Sequence, residues 1–190
     1  MRKLFQYGGI AASVILIAFG IGSIVTGING RDQVRTDLAR EQIVGTPDST
    51  IPGQKVNTGA KAEAMANIMR HHTLEATKGQ TYAQMGRFLT ADGTPTNDEK
   101  AAAVDPKTHQ PVENGLRNMW VTETALTTAL NTSYMAQQMA NFGIVVGIAL
   151  LLTGFGFVIL AVGGALRAGG WAFAKEEKAA VAKTTAPLGA

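Results

Sequence analysis

FGIVVGIALLLTGFGFVILAVGGAL, residues Phe142 to Leu166, decides the fold class: twenty-five residues without a charge, dense in Ile, Leu, Val and Phe. A bilayer core of about 30 Å needs roughly 20 apolar residues in a helix, so the stretch is long enough to cross one. It has no polar face to offer water, as a helix on the surface of a soluble domain would. Toward the C-terminus, Arg167, Lys175, Lys178 and Lys183 follow closely, whereas no Lys or Arg lies between Asn118 and Leu166. The excess of positive charge on one flank predicts a cytoplasmic C-terminus.

The charge-free run extends upstream to Thr124, and no proline intervenes between Pro111 and Pro187. A continuous helix from Asn114 to Leu166 would reach about 80 Å at 1.5 Å per residue, far more than a bilayer needs. The second span is therefore expected to be one end of a long helix that projects from the membrane.

A matching run lies near the start, where Phe5 to Gly30 carry no charge. The basic residues Arg2 and Lys3 ahead of it allow a signal peptide as the alternative. The run continues to Ile28, past the usual apolar length of a signal, and the residues from Thr26 to Asn29 make a poor cleavage site, so a retained span is expected. Two spans place both termini on one side. Phe5 and Tyr7 at the first span, and Trp171 and Phe173 at the second, stand where interfacial aromatics belong.

The domain reading is a cytoplasmic N-terminus over 1–6, a first transmembrane helix over 7–29, an extracytoplasmic helical segment over 30–139, a second transmembrane helix over 140–166 and a basic cytoplasmic tail over 167–190. The fold class is thus an all-α membrane protein in which the second span is continuous with a long outer helix. Between Arg31 and Ala140 there are 11 Lys/Arg and 12 Asp/Glu, so the net charge of +3 belongs to the two ends. That distribution excludes a basic nucleic-acid-binding face. The absence of cysteine excludes disulfides and thiolate chemistry.

Within the middle segment, Val34, Leu38 and Ile43 continue a helical spacing beyond the first span. Gly45 to Gly59, with Pro47, Pro52 and Gly53, reads as a turn-rich connector. Ala62, Met65, Ile68, Met69 and Leu74 predict an amphipathic helix over Ala60 to Thr77, with Gly79 as its C-cap. Residues 90–113, with Gly93, Pro95, Pro106 and Pro111, predict a mobile surface loop.

Candidate chemistry is sparse. His71, His72 and Glu75 fall within one helical turn, but the only other histidine, His109, lies in the predicted loop. A catalytic zinc needs three placed ligands and a di-iron bundle needs paired Glu-x-x-His units, so a polar helix end is the plainer reading. The hydroxyls Thr122, Thr124, Thr127, Thr128, Thr132 and Ser133 come with no nucleophile elbow, and no phosphate-binding loop occurs. No catalytic residue, metal ligand or cofactor is assigned, and neither span carries the ionisable residue that transport normally requires.

Small residues are more informative. Gly143 and Gly147 form a Gly-x-x-x-Gly pair, Gly154 follows, and Ala18, Gly22 and Thr26 recur at four-residue spacing. Gly22, Gly143, Gly147 and Gly154 are expected at a close helix contact, because packing drives association in lipid. Tyr82, Arg117, Trp120 and Tyr134 are the expected partner contacts of the outer segment.

The segments His72-Thr73-Leu74-Glu75-Ala76-Thr77 and Gly79-Gln80-Thr81-Tyr82-Ala83, then Arg117 with Trp120, Thr124-Ala125-Leu126 and Thr128-Ala129-Leu130, carry a resemblance. Together they make the chain, from Arg31 to Leu166, similar to a family of small two-span actinobacterial-type membrane proteins labelled as aromatic-ring-opening dioxygenase subunits. The resemblance implies an actinobacterium-like plasma membrane. It supplies no catalytic residues.

The functional expectation is a non-catalytic accessory or scaffold subunit of a larger plasma-membrane complex, with a respiratory complex as one setting. Its partners would be the lipid bilayer and other membrane subunits, without nucleic acid. The alternative is a self-assembling protein whose long helices bundle into a homo-oligomeric stalk or pore.

Overall fold

The computed structural model describes residues 2–163, with side chains from residue 6 onward. The expected basic tail, Trp171, Phe173 and the Phe5 side chain lie outside the described residues. Three helices dominate: α1 over Arg2–Arg40, α2 over Gly59–Ala76 and α3 over Gly115–Val162. The described residues divide into two compact units, one of residues 2–29 with 139–163 and one of residues 30–138.

In the first unit both helices are long and apolar enough to cross a membrane, and little of either apolar stretch is buried. Phe19, Phe142, Leu152 and Ile159 each expose about 70% of their surface. The two helices run antiparallel, because contacts that advance along α1 retreat along α3. A Cβ on Gly20 would lie 2.9 Å from the Gly147 carbonyl oxygen, and one on Gly27 would lie 2.6 Å from that of Ala140. A Cβ on Gly154 would stand 2.7 Å from Ile17 and 3.2 Å from the Ser13 oxygen.

The seam is therefore Ser13, Gly20 and Gly27 facing Gly154, Gly147 and Ala140, each set spaced by seven residues. A seven-residue repeat drifts only about 20° around a straight helix, so one face stays against its partner along the whole contact. The Ser23 hydroxyl adds a hydrogen bond to the Gly143 carbonyl at 2.7 Å.

This corrects one expected packing residue. Gly22 has nothing within 4 Å of where its Cβ would stand, and Gly143 makes only ordinary contact with Ser23 at 3.7 Å. Gly22 lies about 200° around the helix from Gly20, at 100° per residue, so the two cannot share a face. The four-residue spacing of Ala18, Gly22 and Thr26 marks a stripe away from the contact.

In the second unit the core is Leu38 from α1, Val56 from the connector, Ala62 and Ala66 from α2 and Leu130 from α3, with Met65 and Met69 packed against it. Close approach of α2 to α3 depends on Gly59, where a Cβ would meet the Tyr134 Cα at 2.9 Å. The Gly59 N–H donates to Gln137 Oε1 at 2.6 Å. The connector folds back on itself through Val56 N–H to Ile43 O and Gly45 N–H to Gln54 O, both 2.9 Å.

Helix α2 ends in a Schellman turn: Lys78 N–H reaches Glu75 O at 3.1 Å and Gly79 N–H reaches Leu74 O at 2.7 Å. The residue that takes the left-handed conformation directly after the cap is Lys78, at φ 52°, and Gly79 follows at φ 78°. The expected cap glycine is thus one position beyond the residue where glycine would relieve most strain.

Residues 90–113 are not an unpaired loop, and the described chain is not purely α. Strand β1, Phe88–Leu89, pairs antiparallel with β2, Pro95–Thr96. Further bridges join Phe88 to Glu113 and Val104 to Pro111. Leu89 N–H donates to Val112 O and Ala103 N–H to Leu89 O on one edge, while Thr90 N–H donates to Thr94 O on the edge that β2 occupies, so the strand is held from two sides. Two-residue strands are too short to show alternation, and the prolines occupy an edge and turns where no ladder donor is required.

Candidate functional site

The most constructed polar site lies in the second unit, where the β ribbon meets the start of α3. Asn114, 3% exposed, organises it. Its Nδ2 donates to Gly86 O at 3.0 Å, its Oδ1 accepts from Leu116 N–H at 3.1 Å, and its own N–H donates to Arg87 O at 2.9 Å. One side chain thereby caps α3 and fixes the backbone that leads through Arg87 into β1. Arg87 N–H is held in turn by Asn97 Oδ1 at 3.0 Å.

On the first turn of α3, Arg117 lays its guanidinium over the Tyr82 ring at 4.2 Å. Its Nε is buried with no acceptor. Tyr82 itself sits on a short 3-10 turn whose start is closed by Thr81 and Gln84. Arg87 lies 4.9 Å over the Phe88 ring, and Asn118 donates to Glu113 Oε2 at 3.4 Å. Tyr82, Arg87, Glu113, Arg117 and Asn118 together line a half-open cavity of about 330 Å³.

Among the described residues neither Arg87 nor Arg117 has an ion pair. Each guanidinium lies over an aromatic ring, and its outer NH2 groups suit planar acceptors.

Beside it, a second groove of about 450 Å³ shares Tyr82 and continues along α3 past Val121, Thr124, Ala125 and Thr128. Trp120 contributes only an edge. It is 3% exposed, its Nε1–H donates to Gln80 O at 2.9 Å, and Arg70 covers its ring at 5.3 Å. The sequence placed Trp120 on a partner surface, whereas its place is a structural anchor between α3 and the end of α2. Buried indole usually finds such a partner, and the helix phase of Trp120 matches that of buried Glu123 and Leu130.

Tyr134 is half-buried against Gly59. Of the four expected contacts, Tyr82 is exposed, at 42%, and Arg117 stacks upon it.

The histidines pair separately. His71 meets Glu75 at 3.3 Å along the helix, while His72 Nε2 lies 2.5 Å from Asp48 on the connector. That hydrogen bond is the main cause that holds the Asp48 carboxyl down at about 2. Among the described residues no three His, Cys, Asp or Glu side chains converge on a metal-sized space. A third cavity, about 500 Å³ and chiefly apolar, opens onto the core between Leu38, Met65, Met69 and Leu126, with Asp37 and Glu41 in its wall.

Arg87, Glu113, Asn114 and Asn118 escaped sequence reasoning because they fall at the edge of a stretch read as a loop. The buried Asn114 immediately before a helical run was the available signal, as an N-cap. No family model matches this chain, and neither a curated protein nor a solved structure matches it.

Proposed function

We propose that the protein is a non-catalytic accessory or scaffold subunit of a larger plasma-membrane complex, anchored by two spans with both termini cytoplasmic and residues 30–139 outside. The observation that carries this reading is the outer portion of α3. From Thr124 to Gln138 the helix has no charged residue, yet Thr124, Ala125, Thr128, Thr132 and Met135 on one face are all exposed, Met135 by 61%.

A helix face that meets only water gains solubility from Lys and Glu, and depletion of charge is the mark of an interface core. Val121, Thr124, Ala125, Thr128, Thr132 and Met135 fall within about 100° around the helix, so small residues beside Val121 and Met135 suit a flat helical contact with another subunit. The actinobacterial-type resemblance makes a respiratory complex of such a membrane the first setting to test.

The test is purification of the tagged chain in mild detergent, with the intact assembly weighed by native mass spectrometry. Different subunits in fixed ratio are expected, and Ala125→Arg on the exposed face should release them while the two spans stay folded. A solitary monomer overturns the reading. A single repeated subunit replaces it with a self-assembled stalk.

A further inference from the structure

We infer that the cavity between Arg87 and Arg117 is a binding site for a small free monocarboxylate. Three observations converge on this ligand class. Both guanidiniums stack on aromatic rings, Arg117 on Tyr82 at 4.2 Å and Arg87 on Phe88 at 4.9 Å, and among the described residues neither is neutralised by an acid. The Nε–H of Arg117 is itself buried without an acceptor, and no acceptor in the described chain takes the guanidinium's outer NH2 groups, so those groups are what the site presents to a ligand. The backbone around both residues is fixed through Asn114 and Asn97, which makes the donors preorganised rather than searching.

Charge and size then select among anions. The wall holds two Arg and one Glu, a balance of one positive charge, which matches a ligand of one negative charge. Phosphate, with a charge between one and two at neutral pH, meets added repulsion from Glu113. A carboxylate presents two coplanar oxygens to a guanidinium edge, the bidentate geometry that a lysine ammonium cannot reproduce. A volume of about 330 Å³ lies at the lower end of ligand pockets, enough for an acid the size of benzoate beside the Tyr82 ring.

The test is isothermal titration of the full-length protein in detergent with benzoate and, separately, with inorganic phosphate and a short peptide ending in a free carboxylate. Saturable benzoate binding is expected, at least tenfold tighter than phosphate and the peptide. Arg117→Lys keeps the charge and removes the planar fork, and should weaken benzoate about tenfold or more, as should Arg87→Met. Glu113→Gln leaves the exposed fold untouched and should tighten benzoate severalfold and phosphate more.

The inference is overturned by any of three results: no saturable binding of benzoate to the wild type, equal affinity in wild type and Glu113→Gln, or the peptide binding tenfold tighter than the free acid. Should an arginine variant fail to fold, the Glu113→Gln comparison still decides. None of these outcomes depends on whether the chain is found within a complex.

Discussion

Replacing Gly147 by alanine should loosen the paired apolar helices, and replacing Gly22 should not. The new Cβ at residue 147 would sit 2.6 Å from Ile24 Cγ1, 2.7 Å from the Gly20 carbonyl oxygen and 3.0 Å from the Ile24 nitrogen. Ordinary contact for a carbon needs about 3.5 to 4.0 Å, so the helices must part by roughly 1 Å. Two of the three obstacles are backbone atoms, which rotamer changes cannot move.

A gap of that size forfeits a quarter to a half of each dispersion contact along the seam, and overpacking of this kind typically costs about 1 to 3 kcal/mol. The 2.7 Å bond from Ser23 to Gly143 O lies one turn away and would stretch toward rupture. Interhelical hydrogen bonds in membranes are worth about 0.6 kcal/mol. The expected destabilisation is therefore about 2 kcal/mol, read from the SDS fraction at which the reconstituted protein loses its helix contact.

That contact can be followed by spin labels on cysteines introduced into a chain that has none of its own. At position 22 the same substitution meets nothing within 4 Å and should leave the midpoint unchanged or slightly raised. Equal loss for Gly147→Ala and Gly22→Ala, or no loss for either, would refute the seven-residue seam.

Three further outcomes test the polar unit. Trp120→Phe keeps an aromatic ring but removes the five-membered ring with its donor to Gln80 O from a buried site, and should lower stability by about 2 kcal/mol in a denaturant melt in detergent. Lys78→Gly should raise it by about 0.5 to 1 kcal/mol, since residue 78 holds φ 52°. The Asp48 carboxyl should titrate near 2 by carbon-detected NMR and return toward its ordinary 3.8 in His72→Ala. Because its folded value is depressed, the stabilisation it gives is complete above about pH 4. It is lost as the pH falls from there to about 2, a loss that Asp48→Asn should abolish.

Much of the helical framework is legible in one dimension. Two long charge-free runs and a proline-free stretch from residue 112 to 162 are sufficient for two helices capable of crossing a membrane, and the period of Ala62, Met65, Met69 and Leu74 is sufficient for α2. These are properties of local composition and length, which is why the sequence carries them.

Phase is a different matter. A helix that is apolar on every side offers no periodic signal to say which side meets its neighbour, so Gly20 and Gly27 rather than Gly22 could be distinguished only once a second helix was laid against the first. The same holds for Trp120, whose burial depends on the end of α2 arriving within hydrogen-bond reach, and for residues 90–113, whose two-residue strands exist because the β1 segment is paired through Leu89 to Val112 on one edge and through Thr90 to Thr94 on the other.

The Arg87 and Arg117 cavity belongs to this second class. Its residues are separated by up to 36 positions between Tyr82 and Asn118, and the buried amide of Asn114 is what binds the ribbon to the helix. Local sequence determined that there would be helices and where charge would be excluded. Tertiary contact alone decided which small residues touch, which aromatic is an anchor and where two arginines come to share one space, because those depend on which surfaces meet.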